Sequence, residues 1–448
     1  ALRQAIKDEK INDISEADEI ESRKTLPEDV FWVNNRHFAS SFVDVVWKNN
    51  KDPSFRFDIW RWKPQLRHLM RSTQIWNTLL FGVISWLFVL VNLGLWWGPQ
   101  DRAHNIFLKF FWAWWWPLML LLFPLVGRLW CAVCPFMVWG EIVQNSKHAL
   151  AKLVATAGFP NDWLQVMPWP HGDHNSWGVP CMAAGFGAIL LWEEVWDLPD
   201  NGMLSSCLLL LITSGAIACS WLFEKRFWCR YLCPVGGMNA LFSKLSISEL
   251  RAESGTCMGS CSSYACYKGG LEDGEGMATS GCPLGVHPAN LSDNRNCVLC
   301  MVCDRACPHQ SVQLRLRPPA ADLQRMMHPP DGEKWLFLVL VGGITLHYWY
   351  RLFGWLPIAP ESLHTGPLSV RLSFGILALS LPIVTCFWIE RRWLYSALPL
   401  LWSLLLARHL PLGMKEGGTV LPFDLLQWSA DIHVIGFCQT LAIALGWI

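Results

Sequence analysis

The sequence predicts a polytopic α-helical membrane protein of about eight spans, built on duplicated helical hairpins and interrupted by one polar α+β insert. Three observations predict it. Of 448 residues, 52% are hydrophobic and only 16% are charged. Apolar stretches near twenty residues recur, long enough to cross a hydrocarbon core roughly 30 Å thick. Eight of the 17 cysteines fall between residues 257 and 307, inside a polar segment that separates two groups of apolar stretches.

Residues 1–73 read as a charged N-terminal arm. Its segment EKINDISEADEIESRK has no signal-peptide core, and the start at Ala1 reads as a processed or incomplete N-terminus. Residues 74–245 hold apolar stretches at 75–97, 106–130, 180–197 and 203–223. The insert occupies 246–330. Residues 331–448 add stretches at 335–355, 369–389, 393–410 and 431–448. A net charge of zero gives no basis for a nucleic-acid partner.

Basic residues orient the spans. Lys51, Arg56, Arg61, Lys63, Arg67 and Arg71 precede the first stretch, whereas the loop after it, GPQDRAHN, has only Arg102. The second stretch returns to Arg128 and the fourth to Lys225, Arg226 and Arg230. DLPDNG, between the third and fourth, has neither Lys nor Arg, and the sixth ends on Arg391 and Arg392. The positive-inside rule then puts the N-terminus, the insert and the 391–392 turn on one face. That face is cytoplasmic in a bacterial membrane, or stromal or matrix in a thylakoid or inner mitochondrial one.

Two spans close on matching text. GRLWCAVCPFMVWGEIVQ ends the second and KRFWCRYLCPVGGMNALF the fourth, with the Trp-Cys pairs 98 residues apart. The repeat presents Cys131 and Cys134 beside Cys229 and Cys233. Four converging thiolates would bind a metal or a further cluster. Pairs alone would cycle between dithiol and disulfide. Packing is the bland alternative, with Pro135 and Pro234 simply ending the spans. The uneven spacing, C-x2-C-P against C-x3-C-P, favours redox dithiols over a symmetric cage.

The insert carries NRNCVLCMVCDRACPHQ, four cysteines spaced C-x2-C-x2-C-x3-C-P. In two-cluster ferredoxins the cysteine before proline ligates the other cluster. Cys297, Cys300 and Cys303 with Cys282 would hold one [4Fe–4S] cluster, and Cys257, Cys261 and Cys266 with Cys307 the other. Eight thiols serve two cubes with none left over, so the insert reads as a two-cluster ferredoxin-like domain. A zinc ribbon is the alternative, but it favours two separated C-x2-C pairs. Val312, Leu314 and Leu316 alternate after Cys307, as in a short strand.

Together the two Trp-Cys…Cys-Pro hairpins and the two-cluster run resemble membrane-bound polyferredoxins. That group includes the membrane subunit of periplasmic nitrate reductase systems, the electron donor of nitrous oxide reduction and a cytochrome oxidase copper-assembly factor. The resemblance covers roughly 75–320. It implies a one-electron relay at the cytoplasmic face, linked to the quinone pool or to a membrane redox complex, with a soluble electron donor. The chain departs from the family in its first C-x2-C-P and in the spans after 335. Those spans and the charged arm suit a subunit of a hetero-oligomer. A structural subunit of a respiratory or photosynthetic complex and a metal-reducing assembly factor are the rival readings.

Weaker signals have bland readings. Cys181, Cys207, Cys219, Cys386 and Cys438 sit singly in apolar stretches and read as packing. WAWWWP reads as packing or interface anchoring. His347 and His433 are candidate axial ligands for haem or chlorophyll, without a second histidine at bis-His spacing. Glu193, Glu194 and Asp197 read as interfacial caps in preference to a proton or quinol site. No GxGxxG follows a strand-like segment, which speaks against a direct nicotinamide site and favours an electron carrier or oxidoreductase subunit over a stand-alone enzyme.

Overall fold

The computed structural model describes residues 55–160, 164–169, 174–270, 279–325, 332–355, 367–416, 418 and 429–446; the arm before residue 55 lies outside them. The helices used below are α1 (Thr73–Trp97), α2 (Ile106–Val126), α3 (Pro135–Thr156), α4 (His174–Val195), α5 (Gly202–Leu222), α6 (Phe227–Tyr231) and α7 (Pro234–Phe242). After the insert come α8 (Glu333–Trp355), α9 (Leu368–Cys386), α10 (Leu398–Glu416) and α11 (Ile432–Leu445). Among the described residues, five helices are long and apolar enough to cross a membrane: α1, α2, Trp177–Val195 of α4, α5 and α9. The expected stretches at 335–355, 393–410 and 431–448 fall mainly on α8, α10 and α11.

Polar side chains start these helices. Asn105 accepts the N–H of Phe107 at 2.9 Å to cap α2, and Asn201 accepts that of Leu204 at 2.9 Å to cap α5. Such caps satisfy backbone donors that a helix start leaves open. Within α2, FFWAWW winds as a π-helix over Phe110–Trp115. Trp112 is 1% exposed there and donates to Ser205 Oγ at 3.0 Å, so this ring packs the bundle.

The repeat is visible in the backbone. α2 runs through a left-handed Gly127 (φ 55°) into Arg128, and α5 is followed by a left-handed Lys225 (φ 50°) just before Arg226. Gly127 and Lys225 stand 98 residues apart, the same offset as the Trp-Cys pairs. Helix α3 packs along α5, and α4 packs on α7, α8 and α9. In lipid, helices associate through close packing of small residues. Gly342 and Gly343 of α8 supply it, since a Cβ on either would collide with Leu379 or Leu190.

The insert rests on a three-stranded antiparallel sheet in the order β1-β3-β2, formed by β1 (Phe57–Asp58), β2 (Ser248–Ala252) and β3 (Val312–Leu316). Leu250 faces Leu314 and Phe57 faces Leu316 in register. The alternation after Cys307 is therefore a strand. Strand β1 comes from ahead of α1, so the arm's last residues are part of the insert's sheet. Ion pairs fasten it: Arg56 to Glu249 at 2.7 Å and Arg67 to Asp304 at 2.6 Å. Arginines that serve as orientation signals in the sequence thus also hold the insert in place.

Candidate iron-sulfur centres

The cysteine run of the insert is a strained loop. Leu299 (φ 54°) and Met301 (φ 60°) both occupy the left-handed region between Cys297 and Cys303. For side chains with a Cβ that conformation costs about 1–2 kcal/mol each. It turns the backbone N–H groups of Leu299 and Val302 toward the Cys297 and Cys300 thiols. A concave row of N–H groups suits an anion.

Two groups of four thiols result. Cys282, Cys297, Cys300 and Cys303 line one open cleft, whose other walls include Leu250 and Leu299. Cys266 lies within electrostatic reach of Cys257, Cys261 and Cys307. Cys257 and Cys307 both reach Ser311 Oγ, at 3.5 and 3.4 Å. Cys282 thus neighbours both the later run and Cys266, and Cys307 neighbours the earlier cysteines. Cys303 also lies within reach of Cys266, which makes the groups neighbours.

Cys257, Cys266 and Cys307 are buried and the other five thiols half-buried, and burial disfavours thiolates. It pushes Cys297 and Cys266 up to about 12 and Cys303 well above the usual thiol range. Metal coordination is what deprotonates such groups. Among the described residues no three His, Cys, Asp or Glu side chains are grouped to hold a single metal ion. A zinc site would need its sulfurs roughly 3.8 Å apart, given a Zn–S bond near 2.3 Å.

The repeated cysteines form a third group. Cys134 lies within electrostatic reach of Cys131, Cys229 and Cys233. Cys134 and Cys233 stand at the N-caps of α3 and α7; the Gly236 N–H bonds the Cys233 thiol at 3.2 Å, whereas the Met137 N–H bonds the Cys134 carbonyl at 3.1 Å. Asn239 Nδ2 donates to Cys131 Sγ at 3.2 Å. Arg226 donates from Nη1 to the Cys131 carbonyl at 3.0 Å and pairs with Glu141 at 2.7 Å. Burial opposes its charge, but Glu141, Cys229 and Cys300 hold the Arg226 proton more firmly than usual. Arg226 therefore stands between this group and the Cys300 group.

Other expectations fare differently. Glu193 and Glu194 are not interfacial caps: Glu193 is 7% exposed, and Arg408 Nη2 contacts both carboxylates at 2.7 Å. His347 Nδ1 bonds Glu194 at 2.7 Å, so this ring belongs to the same network. His433 is exposed at the start of α11. Of the single cysteines Cys219 is buried and Cys181 exposed. The sequence reading passed over Arg408, although a lone arginine within LLLARHLPL was a legible signal for a buried partner. Asp304, wholly buried beside Cys303 and held by Arg67 and Arg71, was passed over too.

The model of a 4Fe-4S binding domain matches residues 108–152 and 207–249, the two segments that contain the repeated cysteine pairs. The chain is 29% identical over 160 residues to a protein of Escherichia coli (strain K12) named "Putative electron transport protein YccM", covering 34% of this chain and 40% of that protein. It is 27% identical over 81 residues to an uncharacterized protein of Methanocaldococcus jannaschii, MJ0749, covering 18% of this chain and 27% of that protein. The matches thus span less than half the length of either relative. No solved structure matches the chain. The chain thus combines two matches to a 4Fe-4S binding domain with five helices, among the described residues, that are long and apolar enough to cross a membrane.

Proposed function

We propose that this chain is a membrane-bound electron carrier that holds two [4Fe–4S] clusters in its insert. It passes single electrons between a soluble donor and a redox partner in the membrane, either a complex or the quinone pool. The observation that carries this reading is the pair of interleaved thiol groups, four cysteines each, with Cys303 and Cys266 within reach of one another. Bound there, a [4Fe–4S] cluster accepts and releases one electron without making or breaking a covalent bond.

The chain's residues supply the rest. Cys282, Cys297, Cys300 and Cys303 hold the group nearer the helical repeat, and Cys257, Cys261, Cys266 and Cys307 hold its neighbour. Backbone N–H groups of Leu299 and Val302 place positive dipoles near the sulfurs, and Leu250 and Leu299 add apolar walls to their cleft. Both features tune the potential of a bound cluster. Crowding of Arg and Lys beside the cysteine-bearing ends supports placing the insert on the cytoplasmic, stromal or matrix face of an eight-span bundle. The name of the E. coli relative supports electron transport as the role.

Dithionite added to anaerobically purified protein tests this reading. Broad visible absorption should bleach on reduction and return on adding a one-electron acceptor. A colourless protein, or one whose colour does not respond, would rule out the relay.

A further inference from the structure

We infer that the cleft between α4, α7, α8 and the insert binds a phosphate group, carried by the headgroup of an anionic phospholipid. Electron transfer does not require this site, so the inference goes beyond the relay.

Guanidinium groups define the cleft. Arg128 beyond α2, Arg230 on α6 and Arg295 ahead of the cysteine run all line it. Arg230 and Arg295 lie within electrostatic reach of one another, so like charges are gathered here. Arg128 is 3% exposed. It gives Nη1 to the Arg295 carbonyl, while its buried Nε and Nη2 have no hydrogen-bond partner among the described residues. A buried donor left open costs about 1–3 kcal/mol, and more when it is charged. The planar fork of a guanidinium matches paired phosphate oxygens.

Carboxylates close to the cleft are already engaged. Glu333 lines it too, but accepts from Lys244 and from the Tyr395 hydroxyl, and pairs with Arg295 at 3.2 Å. Asp293 lies 3.8 Å from Lys244 and 3.7 Å from Arg295. Lys244 and Arg295 thus offset these two carboxylates, leaving the Arg128 charge to another anion. Cys229 and Cys233 are within its electrostatic reach, so metal-bound thiolates there would share that charge. They do not provide oxygen acceptors for the open N–H groups.

Apolar walls point to a lipid as the source of the phosphate. Val179 and Met182 of α4, Leu241 of α7 and Leu336 of α8 line the same cleft. A free anion gains nothing from such walls, whereas a phospholipid brings acyl carbons beside its phosphate. The cleft also lies at the arginine-rich ends of the helices, where basic pockets between spans hold phospholipid headgroups.

The test uses the full chain, purified anaerobically in mild detergent and stripped of lipid by detergent exchange. Phosphatidylglycerol and phosphatidylcholine are added in equal amounts, and retained lipid is counted by native mass spectrometry. Wild type should prefer phosphatidylglycerol about tenfold, as one hydrogen bond to a charged group implies. Equal retention of the two lipids overturns the inference with no variant needed. Arg128→Met should abolish the preference with iron content at the wild-type level, and Arg128→Lys should recover part of it. An Arg128→Met protein that sheds iron yet keeps the preference would assign the arginine to the cysteines and overturn the inference. Arg392→Met removes an exposed cation and should change nothing; an equal loss there would mean general surface attraction, not a site. Inorganic phosphate is added alone as the last arm. Its binding to wild type without any lipid preference would keep the anion and overturn the phospholipid as its source.

Discussion

Arg128 and Arg226 stand at equivalent positions of the repeat, both buried and both within electrostatic reach of the Cys229 thiol, yet among the described residues only Arg226 holds a carboxylate, Glu141 at 2.7 Å. The inequality makes Glu141 a testable residue. Glu141→Gln keeps the shape but strips the charge from a pair whose side chains are 6% and 25% exposed. It should cost about 1–3 kcal/mol, between the values for exposed and buried pairs. A thermal-unfolding midpoint equal to wild type would mean that Arg226 has another counter-charge.

The crossed ligand sets separate two single substitutions. Cys282→Ser should release about four iron atoms from the group of Cys297, Cys300 and Cys303. Cys307→Ser should release about four from the group of Cys257, Cys261 and Cys266. Iron analysis with EPR distinguishes them. Loss of the same signal in both variants would refute the crossing.

Asp304 fastens the cysteine run to the segment ahead of α1 through Arg67 at 2.6 Å and Arg71 at 3.7 Å. Asp304→Asn leaves two arginines facing a neutral amide and should destabilise the insert by about 3 kcal/mol. Faster cluster loss in a chelator assay is the expected readout. Loss at the wild-type rate would show that the arm does not brace the insert.

Glu249 gives the insert an acid limit. Burial would raise its pKa, but Arg56, Arg251 and Arg317 outweigh burial and hold the carboxyl well below the usual range. A depressed folded-state pKa contributes stability that is complete above the unfolded value, about 4.3 for Glu. That contribution declines as pH falls from there toward the depressed value. Cluster retention should therefore weaken below roughly pH 4, and Glu249→Gln should be weaker than wild type at pH 7 with a flatter acid slope. Parallel slopes would assign the acid limit to other groups.

Arg408 neutralises Glu193 and Glu194 with 2% of its side chain exposed. Arg408→Leu should cost about 3–5 kcal/mol by stranding the buried Glu193 carboxylate and taking a cation from Glu194, which keeps His347. Adding Glu193→Gln and Glu194→Gln should recover part of it. A triple variant no better than the single one would show that arginine packing, not charge, is what matters.

Much of this architecture was legible in the sequence because it rests on local chemistry. Apolar length gives the five apolar helices, and Asn105 and Asn201 mark two of their starts. The Trp-Cys repeat gave matching turns at Gly127 and Lys225, and alternation at Val312, Leu314 and Leu316 gave β3. What stayed hidden depends on long-range pairing. Nothing near Phe57 announces a partner at Leu316, and nothing near Glu193 points 215 residues on to Arg408. The charge imbalance between Arg128 and Arg226 is likewise invisible until Glu141 is placed against one of them.

Low-temperature EPR of the dithionite-reduced full chain most directly tests the central claim that the insert carries two neighbouring one-electron centres. With Cys303 and Cys266 in adjacent groups, the S = 1/2 signals of the two clusters should interact, and Cys307→Ser should collapse them to one isolated signal. A single non-interacting signal in the wild-type chain, unchanged by Cys307→Ser, would contradict it.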